Sequence, residues 1–302
     1  MNRNINFSSK FKIANILSVL VFSISIFFIV FKGLNYGIDF KGGTLIELRA
    51  DNENINISEI RSSLNSLNLG DVNVKEFGKK GDYLIKVEQK TENDNKLISK
   101  IKKRLFDNLN AEINFRRIEN VGPKVSSELL ESGIIAISLS LLAMLFYIWI
   151  RFEWQFSIGS IVALFHDVII TVGIFSILSL EVNLSIIAAV LTIVGYSMND
   201  TVVIYDRIRE NLGKYTRLKI SETADLSINE TLSRTIITSV TTLLALISIY
   251  VLGGEILRGF SFAMILGVII GTYSSIFVAA PVLKFFKVSS KTLEKDEEKI
   301  VP

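Results

Sequence analysis

LSIIAAVLTIVGYSMNDTVVIYDRIRE, residues Leu184–Glu210, is the stretch from which the rest of the chain can be read. It opens as an apolar run long enough for a helix to cross a bilayer, then sets Gly195, Ser197, Asn199 and Asp200 inside that run. Val202, Val203, Ile204 and Tyr205 carry the run on before the charged Asp206-Arg207-Ile208-Arg209-Glu210 begins. A carboxylate within a membrane helix costs roughly 2.5–3.5 kcal/mol on insertion scales, so one that is kept there usually has work to do. The plainer reading, a helix that ends early with Asp200 at the headgroups, is disfavoured by the apolar residues beyond it.

Composition agrees with a membrane chain. Of 302 residues 49% are hydrophobic, and the charged 21% gather in one block after the first apolar run and in short loops later. A net charge of +3 with no basic stripe between aromatics gives no sign of nucleic-acid binding. The absence of cysteine removes disulfides and thiolate metal sites, and a single histidine, His166, rules out a His-rich metal centre. No cofactor motif, nucleophile–base pair or phosphate-cradling loop is present, which argues against a membrane enzyme.

Six apolar runs are long enough to cross: Phe11–Phe31, Gly133–Ile150, Phe156–Leu180, Leu184–Tyr205, Thr235–Leu252 and Phe260–Leu283. The first lacks a small-residue cleavage site at Phe31-Lys32, so it reads as an uncleaved anchor. Arg151, the group Arg207, Arg209, Lys214, Arg217, Lys219 and Arg234, and the lysines after Leu283 all fall on one side. Positive-inside then places both termini in the cytoplasm. Between the first and second crossings the chain is soluble in character, and this part is expected outside.

That external part alternates or repeats in a recognisable order. Thr44–Ala50 reads as a strand, Ile57–Asn68 as a helix that Asn56 is placed to cap, Asp71–Phe77 and Tyr83–Gln89 as a hairpin, Lys96–Leu109 as an amphipathic helix and Ile113–Ile118 as a last strand. The order β-α-β-β-α-β is the split βαβ, ferredoxin-like plan. The expected domains are 1–34, the N-terminus and first crossing; 35–130, the ferredoxin-like α+β domain; 131–285, a five-helix bundle with a cytoplasmic loop near 206–233; and 286–302, a disordered tail. The loop is read as short amphipathic helices on the membrane surface.

Four constellations could carry chemistry or motion. In the fifth crossing Arg234, Thr238, Thr241, Ala245 and Ser248 form one polar and small stripe, matched in the fourth by Ala188, Thr192, Gly195 and Asn199. The two helices are antiparallel, so Asp200 and Arg234 lie at similar depth and can pair; a carboxylate whose arginine partner comes and goes suits a proton carrier. Arg234 as a plain positive-inside flank stays open beside that reading. His166-Asp167 sits mid-membrane in the third crossing, where adjacent residues are expected to face different ways; a structural bond to another helix and proton handling both stay open. Ala263, Gly267, Gly271 and Ser275 make a small-residue packing face in the sixth crossing, and Gly195 is a further packing position. Gly37, Gly42 and Gly43, with Gly122-Pro123, read as hinges where the external domain meets the membrane.

YGIDFKGG (Tyr36–Gly43), VGPKV (Val121–Val125), LFHDVIITVG (Leu164–Gly173), VGYSMNDTVVIYDRIREN (Val194–Asn211) and SRTIITSVTTL (Ser233–Leu243) together resemble the SecF family of the bacterial SecD–SecF protein-export complex. They occur in the family's order along nearly the whole chain. The resemblance implies a six-crossing half of a bundle related to the proton-driven resistance-nodulation-division exporters, in the bacterial inner membrane, with the ferredoxin-like domain in the periplasm. It implies SecD as an obligate partner, the SecYEG channel, YajC and YidC as further partners, and an unfolded secreted polypeptide and protons as what is moved. The family's proton-path carboxylate falls on Asp200 and its essential arginine on Arg234. His166, Asp167, Asn199 and Thr238 are the further candidates for the proton path. The competing readings are a passive scaffold with a fixed Asp200–Arg234 pair, and half of a small-molecule efflux pump.

Overall fold

The computed structural model describes residues 5–51, 55–67, 72–76, 79–87, 94–109, 113–290 and 292. The chain divides into two compact units. Met1–Asn35, Ile135–Leu180 and Ser185–Pro302 make a helical bundle, and Tyr36–Ile134 with Glu181–Leu184 make an α+β unit. In chain order a 3-10 turn (Ser8–Lys10) leads into α1 (Phe11–Phe31), followed by β1 (Asn35–Tyr36), α2 (Ile38–Lys41), β2 (Gly43–Ala50), α3 (Ile57–Asn65), β3 (Val72–Glu76), β4 (Asp82–Val87), α4 (Asp94–Leu109) and β5 (Ile113–Val121). Then come α5 (Pro123–Arg151), α6 (Trp154–Ile177), β6 (Glu181–Val182), α7 (Leu184–Lys214), α8 (Ile220–Leu252), α9 (Gly254–Ser274), a π-helical turn (Ser275–Ala279) and α10 (Ala280–Phe285).

In the α+β unit four strands form one antiparallel sheet in the order β3-β4-β2-β5, the ferredoxin-like arrangement. Gly42 and Gly43 take positive φ and turn the chain into β2. Alternation then sends Ile46 and Leu48 to the side where Ile60 and Leu64 of α3 and Ile101 and Leu105 of α4 complete a fully enclosed core. Asn56 caps α3 through Oδ1, which accepts from Ser58 N at 3.2 Å. β5 runs to Val121, past its expected end at Ile118, because it pairs with β2 as far as Gly43. Asn68, Asp71, Phe77, Gly78, Glu88-Gln89 and most of the expected tail lie outside the described residues.

Among the described residues six helices are long and apolar enough to cross a membrane, and the protein is a membrane protein. Half or more of each span in α6 (56%), α7 (50%) and the sixth crossing (56%) is buried, against 11–17% in α1, α5 and α8, so the first three form the interior. α1 reaches α6 where Ser25 meets Gly173: a Cβ on that glycine would lie 2.3 Å from Ser25 Cβ.

Two expectations change. The segment Asp206–Ser233 is not a set of short surface helices: α7 continues to Lys214 and α8 already begins at Ile220. The reason is burial along a helical face, since Ile208, Leu212, Ala224 and Ile228 are all within 2% of full enclosure. Polar bonds fix the same hairpin, with Asn211 Nδ2 donating to Ser227 Oγ (3.0 Å) and Arg207 Nε to Glu230 Oε2 (2.6 Å). The second crossing, expected from Gly133, is part of a helix that starts at Pro123, where a missing N–H costs nothing.

Candidate functional site

Asp200 lies on α7 with 3% of its surface exposed. The Thr272 hydroxyl of α9 stands beside its carboxylate, while Oδ2 has no hydrogen-bond partner among the described residues. Thr272 Oγ1 in turn shares a hydrogen bond of 2.7 Å with Ser239 Oγ of α8. Arg234, an exposed residue of α8, acts on Asp200 electrostatically and not through a direct hydrogen bond. Tyr196 OH and Thr235 Oγ1 are likewise buried without partners among the described residues. A buried carboxylate half satisfied, beside a cation that does not clamp it, can gain or lose a proton with little rearrangement.

Both stripes read from the sequence face outward. Ala188, Thr192, Gly195 and Asn199 are exposed along α7, and a Cβ on Gly195 would meet nothing within 4 Å. Arg234, Thr241, Ala245 and Ser248 are exposed along α8. Among the described residues Thr238 bonds its own helix, through the carbonyls of Arg234 (3.1 Å) and Thr235 (3.0 Å). Its neighbour Ser239 is the hydroxyl that reaches toward Asp200 by way of Thr272.

Asp167 belongs to a separate cluster and is fully enclosed. Its Oδ2 accepts from Ser197 Oγ of α7 (2.5 Å) and Ser274 Oγ of α9 (2.7 Å), and His166 Nδ1 lies 2.9 Å from Oδ1. The two adjacent residues therefore meet, against the expectation that they face different ways. A short acid at one position and a long imidazole at the next can bend together across 100° of helix. The small face of the sixth crossing packs against α7: Gly267 lies on Ile193, Gly271 on Ser197, and Ser275 bonds Thr201. Ala263, on the same face, is fully buried. In the α+β unit Gly37 N donates to Val182 O (2.8 Å) and Ser126 N to Gly122 O (3.0 Å), so these glycines sit in bonded turns.

Sequence reading marked Ser197 as polar within the run but gave it no role, and missed Ser274, Ser239 and Thr272. A lone hydroxyl in a membrane helix can bond its own i−4 carbonyl, so only its neighbours across the interface reveal a role.

A bundle of membrane helices with buried acids, joined in the chain to a ferredoxin-like unit, is the class of architecture in view, and the comparisons make it specific. The description "Protein export membrane protein SecD/SecF, C-terminal" matches residues 101–289, and "SecD/SecF GG Motif" matches 27–53. Protein translocase subunit SecF of Rickettsia rickettsii (strain Sheila Smith) is 46% identical over 288 residues, covering 94% of this chain and 93% of its own; that of Rickettsia bellii (strain OSU 85-389) is 47% identical over 286 residues with the same coverage. The crystal structure of SecDF, a translocon-associated membrane protein from Thermus thermophilus, superposes with a TM-score of 0.85 at 35% identity over 95% of this chain. SecDF in a super-membrane-facing form gives 0.71 at 34% identity over 99%. The chain spans about two fifths of the length of these SecDF structures, 39% and 40%. The chain belongs to the SecD/SecF family, as a SecF-type protein translocase subunit.

Proposed function

We propose that the chain works with SecD at the SecYEG channel, using the proton gradient to complete export of unfolded secreted polypeptides, and that it does so without enzymatic chemistry or a cofactor. The observation that carries this reading is the position of Asp200: buried, with Oδ2 unbonded among the described residues, and flanked by two polar, small-residue helix faces that are exposed in this chain. Small residues let a neighbouring membrane helix approach closely, so these faces suit a second bundle such as SecD. The association of the Thermus relative with a translocon supports SecYEG as the place of work. YajC and YidC are the further partners of this assembly.

Asp200 and Arg234 then form the proton path. With Asp200 ionised, Arg234 is drawn toward it; with Asp200 protonated, Arg234 is released and α7 and α8 shift relative to one another. Loop charges support an inner-membrane orientation with both termini in the cytoplasm and the ferredoxin-like unit in the periplasm. Gly37, Gly42, Gly43, Gly122 and Pro123 are the hinge positions of this reading.

The test is preprotein export into inverted membrane vesicles, with and without a proton gradient, for wild type and Asp200→Asn expressed with SecD. The proposal expects an assembled variant complex with no gradient stimulation. Full stimulation in the variant overturns it. A fixed structural pair, the scaffold reading, instead expects failure of assembly, because Arg234 loses its counter-charge. Drug sensitivity on deletion, with export intact, would favour the efflux reading.

A further inference from the structure

Asp167 is the most enclosed acid among the described residues, and every part of its carboxylate is engaged. Ser197 and Ser274, from two different helices, both point their hydroxyls at Oδ2, and His166 takes Oδ1. The acid itself stands on a third helix, α6. Three helices of the bundle interior thus meet at one carboxylate.

The knot is the first rung of a longer ladder. Ser197, Thr201 and Tyr205 follow each other at four-residue spacing and so share one face of α7. Thr201 Oγ1 meets Ser275 Oγ at 2.9 Å, and Tyr205 OH donates to Ala279 O at 2.9 Å. These last two rungs bracket the π-turn of the sixth crossing, Ser275–Ala279, the kind of widened turn found where helices serve a function. Room for Tyr205 comes from Gly159: a Cβ there would stand 2.1 Å from the phenol oxygen. Asp200 sits between the first two rungs, about 100° round the helix from Thr201. Any turn of α7 that re-aims Asp200 must strain Ser197, Thr201 and Tyr205 together.

We propose that Asp167 is a positioning residue: through Ser197 and Ser274 it sets the rotation and height of α7, and thereby where the Asp200 carboxylate stands against Thr272 and Arg234. This rests on Asp200 being the proton site, and assigns Asp167 a part that carries no proton. Its contribution is to accept hydrogen bonds, which an amide oxygen in the same place does equally well, while the amide N–H can face His166 Nδ1.

Gradient-stimulated export across a range of pH, in vesicles holding the complex with SecD, separates the possibilities. Asp167→Asn should stay within about twofold of wild type with an unchanged pH profile, since its acceptor oxygen is kept. Asp167→Ala should lose about tenfold or more, with the profile displaced, since two buried hydroxyls lose their acceptor and α7 is freed. An Asn variant as inactive as Ala overturns the proposal and makes Asp167 a proton carrier; an Ala variant with wild-type rate and profile overturns it by removing any role. Should Asp167→Ala fail to accumulate, the double variant Ser197→Ala/Ser274→Ala decides: a displaced profile supports the proposal and a wild-type profile overturns it. Asp200→Asn run in parallel keeps the two failures apart, because a gradient response there overturns the reading beneath.

Discussion

Asp167 and Asp200 are both acids inside membrane-crossing helices, and their surroundings are opposite. Asp167 is wholly enclosed and bonded on both oxygens by groups from its own helix and two others. Asp200 is nearly as enclosed, yet it stands beside the Thr272 hydroxyl with Oδ2 unbonded among the described residues, next to an outward-facing helix stripe. Desolvation alone does not separate structure from function here, since both acids bear it. Satisfaction does. A carboxylate whose lone pairs are all used fixes a geometry, and one with a free oxygen has something left to bind.

The glycines on the two sides of α7 sharpen the same contrast. Gly267→Leu should have the largest effect on the chain alone, because even a Cβ would come within 2.3 Å of buried Ile193. Overpacking of that kind costs about 1–3 kcal/mol or more, read as a lower melting temperature of the detergent-solubilised protein. Tyr205→Phe comes next. It removes a second hydrogen bond from Ala279 O, which as the N-cap of α10 keeps its helical bond, so the loss is that of one buried hydrogen bond, about 0.5–1.5 kcal/mol. Gly195→Leu should leave the melting of the chain alone unchanged, since nothing stands within 4 Å, while reducing recovery of SecD in co-purification. Equal destabilisation by the Gly195 and Gly267 variants would erase the distinction between an outer and an inner face. Thr238→Val should do least, within about 0.5 kcal/mol and with gradient stimulation intact, because that hydroxyl bonds only carbonyls of α8.

Much of this was legible in the residues. Apolar run lengths located six crossings, and alternation within Thr44–Ala50 and Tyr83–Gln89 around amphipathic segments gave the ferredoxin-like order, because both periods follow from backbone geometry. Asp200 stood out for its cost, and Arg234 for its register with it. The extension of α7 to Lys214 was hidden: Asp206, Arg207, Arg209 and Glu210 look like the end of a membrane helix, and their partners are set by tertiary contact, Arg207 with Glu230 of α8, Asp206 with Arg151 and Arg209 with Glu153. Ser197 showed only as a polar residue within an apolar run, and Ser274 and Thr272 gave no signal, because a hydroxyl's partner is chosen by tertiary contact. The π-turn at Ser275–Ala279 was equally silent, since no proline or paired glycine marks it and its support comes from Thr201 and Tyr205 on another helix.

The most direct test of the contrast between the two acids is chemical. A hydrophobic carbodiimide reacts from within the bilayer with a protonated carboxyl and leaves a stable acylurea, and the modified residue can be read by mass spectrometry of the full-length protein in its membrane. Asp200 should be modified, more so as the pH falls, and SecD at its uncovered face should slow the reaction; Asp167, with both oxygens bonded, should stay unmodified throughout. Modification of Asp167 with Asp200 left untouched would contradict the account, and would move the proton site to the other acid.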